Sequence, residues 1–151
     1  MISEPRQNER LIASFKTLMR PMGKARPRHT KTGVVFTPKA TRIAEQIISW
    51  DCVRAMEKGA SDYASELPIR IVIKAHFKIP ASRRKREDLI GSPVIKKPDA
   101  DNIEKLVLDA LNGIAYKDDS QVYSLESEKT YSDEDSIIVD IYETIGNILS
   151  D

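Results

Sequence analysis

The chain has 151 residues, 40% of them hydrophobic and 31% charged, and its formal net charge is +1. This length and hydrophobic content predict one compact domain over residues 1–151 with its own core. No apolar run approaches the ~20 residues of a membrane-spanning helix, and the polar start MISEPRQNER does not fit a signal peptide, so membrane functions are not expected. The single Cys52 predicts a buried thiol in a reducing compartment, with the cytoplasm as the default.

The charge is distributed unevenly along the chain. Residues 1–97 hold 21 of the 24 Lys and Arg and 9 of the 23 acids, a balance of +12, whereas residues 98–151 have a balance of −11. A basic half could neutralise a polyanion while an acidic half holds metal ions. Alternatively, the two halves attract each other or form separate solvated faces.

The first half predicts a strand, a basic loop and a helix. LIASFKTL, residues 11–18, is typical of a strand and leads into the basic loop PMGKARPRHTKTG. Thr37 and Pro38 predict the N-cap and first residue of a long amphipathic helix that Gly59 closes. Ile43, Ile47, Trp50 and Val53 recur at helical spacing and mark its apolar face.

A second strand is predicted at residues 69–78, IRIVIKAHFK, where the side chains alternate. One face is apolar and belongs to the core. The other face carries most of the strand's basic side chains and is expected to contact solvent or a polyanion: Arg70, Val72, Lys74, His76 and Lys78.

The remaining elements complete a prediction of an α/β fold of the α+β type. A loop with four basic residues at 83–86 and a short helical turn precedes a helix that starts near Asp101 and stops at Asn112 and Gly113. QVYSLESEKTY and SIIVDIYET predict two strands joined as a hairpin by SDED. We expect a mixed β-sheet packed with the long amphipathic helix and with the second helix, which carries an acidic motif.

Five aspartates lie in residues 97–121, KPDADNIEKLVLDALNGIAYKDDSQ. Clustered carboxylates repel each other, which favours a bound cation. Any one of them could instead cap a helix or form a turn, but a cap needs only one carboxylate. The spacing does not fit an EF-hand, and neither histidine has a zinc-ligand partner, so Mg²⁺ or Mn²⁺ acting on a phosphate ester is the remaining chemistry. The five are Asp99, Asp101, Asp109, Asp118 and Asp119.

Lys105 follows Asp101 by one helical turn. At such a site its ammonium could orient a water or stabilise charge on a phosphate. An ordinary ion pair with Asp101 or Asp109 fits the spacing equally well.

The motifs resemble the RusA family of Holliday junction resolvases, small phage- and prophage-associated endonucleases. The resemblance rests on the ordered set GKARPR, FTP, RRKRED, KKPDADN, DALNG and DDSQV, which covers most of the chain. It implies that Asp99, Asp101 and Asp119 are the acidic metal-binding residues, with Asp118 beside them and Lys105 as the essential lysine. It further implies a homodimer that makes paired cuts in four-way DNA with Mg²⁺.

The expected function is therefore Mg²⁺-dependent resolution of four-way DNA. Alternatives are a branched-DNA-binding protein that cuts nothing, and a metal-dependent nuclease acting on flaps or other branched DNA. Basic side chains from three loop segments are the candidate phosphate contacts, which supply affinity without sequence choice. These are Lys24, Arg26, Arg28, Arg83, Arg84, Lys85, Arg86, Lys96 and Lys97.

Overall fold

The computed structural model describes residues 3–59, 64–83 and 87–146. A mixed four-stranded sheet and two helices form an α+β architecture, which confirms the predicted fold class. The elements are β1 (Glu9–Thr17), β2 (Arg28–His29), β3 (Val35–Phe36), α1 (Lys39–Gly59), β4 (Ile69–Lys78), α2 (Ala100–Leu111), β5 (Val122–Ser132) and β6 (Ser136–Thr144). Short 3₁₀ turns lie at Ala81–Arg83, Glu87–Leu89 and Asp119–Gln121.

The sheet has the strand order β1-β6-β4-β5. The predicted hairpin between β5 and β6 is wrong, because β4 lies between them. β4 pairs with β6 antiparallel and with β5 parallel. β4 is the most apolar strand of this sheet, and its central position buries both faces of its first half. Its parallel pairing with β5 requires a long crossover, and this connection contains α2.

The predicted basic face of β4 is also wrong in part. Arg70 and Val72 are buried, and the guanidinium of Arg70 lies 2.8 Å from the Glu9 carboxylate on β1. Lys74 and His76 are partly buried, and only Lys78 is exposed. A central strand has little surface to offer DNA, so this face stabilises the sheet instead.

Helix α1 packs with the face opposite to the predicted one. Ala44, Ile48, Cys52 and Met56 are buried at spacings of four, together with Thr41. The residues predicted as the apolar face are exposed: Ile43 by 46%, Ile47 by 38%, Trp50 by 59% and Val53 by 37%. Two apolar stripes share the helix, and the one made of smaller side chains lies against the rest of the fold.

Helix α2 matches the prediction. Ile103, Leu106, Val107, Ala110 and Leu111 are all buried, and Asn112 and Gly113 follow the helix end. The positive φ of Gly113, 80°, fits the turn that ends the helix. α2 contacts α1 and β5, so its opposite face is left for chemistry. Among the described residues, neither helix combines the length and apolarity needed to span a membrane.

Candidate active site

The acidic motif begins at the N-terminus of α2, where Asp99 occupies the N-cap position. Its backbone carbonyl accepts hydrogen bonds from the amides of Asn102 and Ile103, both at 3.1 Å. Its side chain, however, makes no capping hydrogen bond and is exposed. The capping alternative therefore does not account for the Asp99 carboxylate, which is available for another ligand.

Asp101 and Lys105 lie on the exposed face of α2. In the described parts of the chain, Lys105 forms no ion pair with Asp101 or Asp109, although the spacing permits one. Asp109 instead lies 3.2 Å from the ammonium of Lys24. The carboxylate of Asp101 and the ammonium of Lys105 thus both face solvent.

The loop after β1 packs directly against the acidic motif. A Cβ added at Gly23 would come 2.8 Å from Cβ of Asn102 and 3.4 Å from Cβ of Pro98, so only glycine permits this approach. The amide of Lys24 donates to the carbonyl of Asn102 at 3.0 Å. Gly23 and Lys24, the first two residues of GKARPR, therefore hold the segment PDADN in place.

Lys24 was predicted to contact DNA, and the structure places it in an internal network instead. Its ammonium bonds Glu45 on α1 and Asp109 on α2, and its side chain is only 17% exposed. Burial disfavours the charge, but the bonds to Glu45 and Asp109 outweigh it and raise the pKa of Lys24. Lys24 therefore acts as a positioning residue that ties the loop to both helices.

Lys129 on β5 holds the segment that precedes Asp99, a role that the sequence pattern does not predict. Its ammonium donates to the carbonyls of Lys96 at 2.7 Å and Pro98 at 2.8 Å. The only available signal was that residues 98–151 contain just three lysines. The partner of this cation is the backbone beside Asp99.

A cleft of about 660 Å³ opens beside Asp99. Positive side chains border it, although Arg20 is also 3.4 Å from Asp135 and Lys24 is paired as described. Lys97 is exposed at its edge. The residues that line the cleft are Arg20, Pro21, Met22, Gly23, Lys24, Lys97, Pro98, Asp99 and Asn102. A site with a carboxylate beside cations is suited to a metal ion and a phosphate together. The carboxylate can bind the ion, and the cations can bind the phosphate.

Asp118 and Asp119 have different surroundings at the turn before β5. The carboxylate of Asp118 accepts from the amide of Ser120 at 3.0 Å, while the Gln121 side chain accepts from the amide of Asp118, which completes a capping box. Hydrogen bonding from the Ser120 side chain, and then from its amide, lowers the pKa of Asp118. Asp118 thus has a structural role, whereas the exposed carboxylate of Asp119 makes no hydrogen bond among the described residues.

Asp119 lies toward the C-terminal end of α2, away from Asp99 and Asp101. The hydroxyl of buried Tyr116 donates to the carbonyl of Leu108 at 2.7 Å, and its pKa is raised by burial and then by the charges of Asp119 and Asp109. Asp101 and Asp109 are two helical turns apart, about 12 Å along the axis. Within the described residues, no three Asp, Glu, His or Cys side chains are grouped to hold one metal ion.

The expected convergence of Asp99, Asp101 and Asp119 is therefore not present in this arrangement of one chain. The pair at the start of α2 still suits Mg²⁺, because enzyme sites for this ion often use one or two carboxylates, with waters and substrate phosphates as the other ligands. Asp99 and Asp101 are two exposed carboxylates separated by one residue, and Asp99 lines a partly basic cleft, so the pair meets that requirement.

The comparison with known families agrees with the motif resemblance. Residues 19–142 match the model of the family described as endodeoxyribonuclease RusA. The chain belongs to the RusA endodeoxyribonuclease family. An uncharacterized protein of Bacillus subtilis strain 168, YqaN, is 38% identical over 82 residues. That alignment covers 50% of this chain and 58% of YqaN, which is less than two thirds of the relative's length.

The family match spans all of the candidate DNA-contacting segments. Arg26, Arg28, Lys96 and Lys97 are exposed, as contacts to a phosphate backbone require. The side chain of Arg83 and the whole of Arg84, Lys85 and Arg86 lie outside the described residues. Their assignment as phosphate contacts stays a prediction.

Proposed function

We propose that this protein resolves Holliday junctions as a Mg²⁺-dependent endodeoxyribonuclease, with Mn²⁺ as an alternative ion. In this proposal a homodimer hydrolyses two opposed phosphodiesters of four-way DNA. The observation that carries it is the free Asp99 carboxylate at the N-cap of α2, next to exposed Asp101 and a cleft with basic edges. Membership of an endodeoxyribonuclease family supplies the reaction class.

Asp99 and Asp101 would hold the ion through carboxylate oxygens. When bound, the ion would lower the pKa of a water and offset the charge that develops on the scissile phosphate. Asp119 is proposed as the third acidic residue and lies apart from this pair in the isolated chain. Asp119→Asn therefore tests its contribution separately.

The remaining residues would bind and orient the phosphodiester backbone. Lys97 lies at the edge of the cleft and can contact the phosphate next to Asp99. Lys105, free of ion pairs within the described chain, can stabilise negative charge one turn along α2. Arg26 and Arg28 extend the positive surface, and Lys24 and Lys129 keep the loops at the motif in place.

The test compares cleavage and binding on a synthetic four-way junction. Asn has nearly the same size as Asp, and the Asp99 side chain makes no capping hydrogen bond, so Asp101→Asn and Asp99→Asn preserve the fold while removing an anionic ligand. A metal contribution worth several kcal/mol implies that cleavage in Mg²⁺ falls by on the order of 10² or more. Binding in a gel-shift assay should persist or tighten, because a negative charge near the phosphates is removed.

Asp133→Asn is the matched control, since Asp133 is exposed in the turn between β5 and β6 and carries the same charge. It should cut at the wild-type rate. Near wild-type cleavage by folded Asp99→Asn and Asp101→Asn would contradict the proposal. A protein that binds junctions and never cuts them, with or without Mg²⁺, would be a binding module, and cleavage of flaps alone would assign another branched substrate.

A further inference from the structure

Helix α1 presents a second apolar stripe to solvent, on the face opposite the core. Ile43, Ile47, Trp50 and Val53 are all more than one third exposed. Together they form an aligned apolar surface, whereas exposed hydrophobic residues on monomers are normally scattered singly. A surface of this kind on a helix of 21 residues, about 30 Å long, is suited to pair with another helix.

The spacing along this face is that of a helix-pairing seam. Six positions recur at intervals of four, three, four, three and four, which is the a/d pattern of paired helices. We call these the α1 seam: Lys39, Ile43, Gln46, Trp50, Val53 and Glu57. All six side chains are exposed. The seam has three apolar residues and one glutamine in the middle, one cation at its N-terminal end and one anion at its C-terminal end.

We infer that the α1 seam is the surface on which two copies of this chain pair, with their α1 helices antiparallel about a two-fold axis near residue 48. In this register Ile43 lies opposite Val53 of the second copy, and Gln46 lies opposite Trp50. Lys39 then lies opposite Glu57 of the second copy, at both ends of the contact. A parallel pair would place Lys39 against Lys39 and Glu57 against Glu57, which is repulsive.

Within the part of the chain that the structure describes, neither Lys39 nor Glu57 forms an ion pair. Lys39 and Glu57 are 18 positions apart, about 27 Å along the helix, so they cannot contact each other in the same molecule. The N-terminal turn of α1 contains no acidic residue, and the Lys39 cation there opposes the helix dipole. An antiparallel partner offsets this unfavourable placement, because it brings Glu57 to the same place.

A cavity of about 370 Å³ lies at the C-terminal end of the seam, lined in part by Val53, Glu57 and Ile114. In the antiparallel register Ile43 of the second copy comes next to Val53, where an apolar side chain can fill this space. The contact is isologous, since each copy contributes the same surface. This inference rests on the homodimer of the proposed function and names the interface of that homodimer. The test of the interface uses no DNA.

The single tryptophan of the chain gives a direct readout, because Trp50 is at the centre of the seam. Sedimentation velocity should show a dimer at micromolar concentration, and dilution to the monomer should shift Trp50 emission to longer wavelength as the ring meets water. Ile47→Glu places a charge in the exposed apolar stripe directly beside Gln46 and Trp50, near the middle of the contact, and should weaken association by about 30-fold or more. Leu18→Glu, which adds the same charge at a side chain 69% exposed elsewhere, should leave the dimer intact.

Charge reversal tests the register. Lys39→Glu or Glu57→Lys alone creates like-charge contacts at both ends and should weaken the dimer by about tenfold, whereas the double variant should restore it. Asp101→Asn should remain dimeric, so loss of cleavage and loss of pairing are separable. A wild-type chain that is monomeric at all concentrations, or a dimer unaffected by Ile47→Glu, would overturn the inference, as would a double reversal that restores nothing.

Discussion

Individual aspartates in the motif have different roles that their shared residue type conceals. Asp118 accepts a hydrogen bond from the amide of Ser120 in a capping box, whereas Asp99 occupies an N-cap position without capping through its side chain. A carboxylate that accepts a hydrogen bond from a backbone amide stabilises a turn. A carboxylate without such a hydrogen bond is available to bind a cation. The geometry thus separates the structural alternative from the functional one residue by residue.

Replacing Asp118 and Asp119 in turn should produce opposite results. Asp118→Ala removes the cap and should lower the midpoint of thermal unfolding by a few degrees, while Asp118→Asn should keep it. Asp119→Asn should leave the midpoint of thermal unfolding unchanged, because the Asp119 carboxylate makes no hydrogen bond among the described residues. If Asp119 is the third acidic ligand, however, cleavage of a four-way junction in Mg²⁺ by this variant should fall by on the order of 10². Thermal melts and cleavage rates on the same preparations provide the comparison. Equal rates for wild type and Asp119→Asn would remove Asp119 from the site.

At the scale of the elements, local pattern predicted the two helices and the four strands of the main sheet, but it predicted neither the short strands β2 and β3 nor the long-range pairing. The apolar spacing of Ile103 to Leu111 identified α2 and its buried face, because only one stripe on that helix is apolar. On α1 two stripes compete, and periodicity alone cannot tell which one meets the sheet. The insertion of β4 between β6 and β5 likewise depends on contacts distant in sequence.

The site was predictable to a similar extent. The motif predicted that Asp99, Asp101 and Lys105 lie at the exposed start of a helix, since their positions follow from the helical register. The roles of Lys24 and Lys129 were not predictable, because each depends on a partner on another element. Whether a lysine contacts DNA or supports a loop is decided by its tertiary neighbours and not by its place in a basic segment.

Arg70 shows how a basic side chain links strands. Its guanidinium lies 4.4 Å from the centre of the Tyr142 ring on β6 and reaches over that strand to Glu9 on β1. The two charged side chains are 4% and 2% exposed. Arg70→Met leaves the buried Glu9 carboxylate without its cation, with only the hydrogen bonds from the Arg6 amide and the Tyr123 hydroxyl, and should lower the free energy of unfolding by about 3–5 kcal/mol in urea titrations. Lys16→Met, which breaks the exposed pair with Glu134, should cost no more than about 1 kcal/mol.

The same pair makes the sheet sensitive to acid. The hydrogen bonds from Arg70 lower the pKa of Glu9 below its ordinary value of 4.5. Because the folded pKa is the lower one, this stabilisation is present above pH 4.5 and is lost as the pH falls through the folded value. The acid-dependent loss should shrink in Glu9→Leu/Arg70→Met, which should also be more stable than Arg70→Met alone. A double variant as unstable as the single one would show that the pair does not act as a unit.

In the whole molecule, the basic and acidic halves of the chain partly neutralise each other. Of the eight ion pairs among the described residues, five join residues 1–97 to residues 98–151. This supports the alternative that the two halves attract each other. It does not account for exposed Arg26, Arg28, Lys96 and Lys97, which have no ion pair within the described chain. The charge available for DNA is thus smaller than the +12 balance suggests, and it is concentrated in the loops around the acidic motif.

The salt dependence of junction binding should report this division of the cations. Each phosphate that a Lys or Arg neutralises contributes about 0.9 to the slope of log K against log salt. Arg26→Gln/Arg28→Gln should therefore reduce the slope by about 2, and neutralising Arg83, Arg84, Lys85 and Arg86 together should reduce it by about 3 to 4.

Lys24→Gln is the matched control from the same basic loop. Its ammonium is bonded to Glu45 and Asp109, so the slope should stay at the wild-type value. Gel-shift titrations from low to physiological salt measure all four proteins. If the slope fell with Lys24→Gln and not with Arg26→Gln/Arg28→Gln, the internal cation would be the one on the DNA, and the exposed arginines would belong to a solvated face.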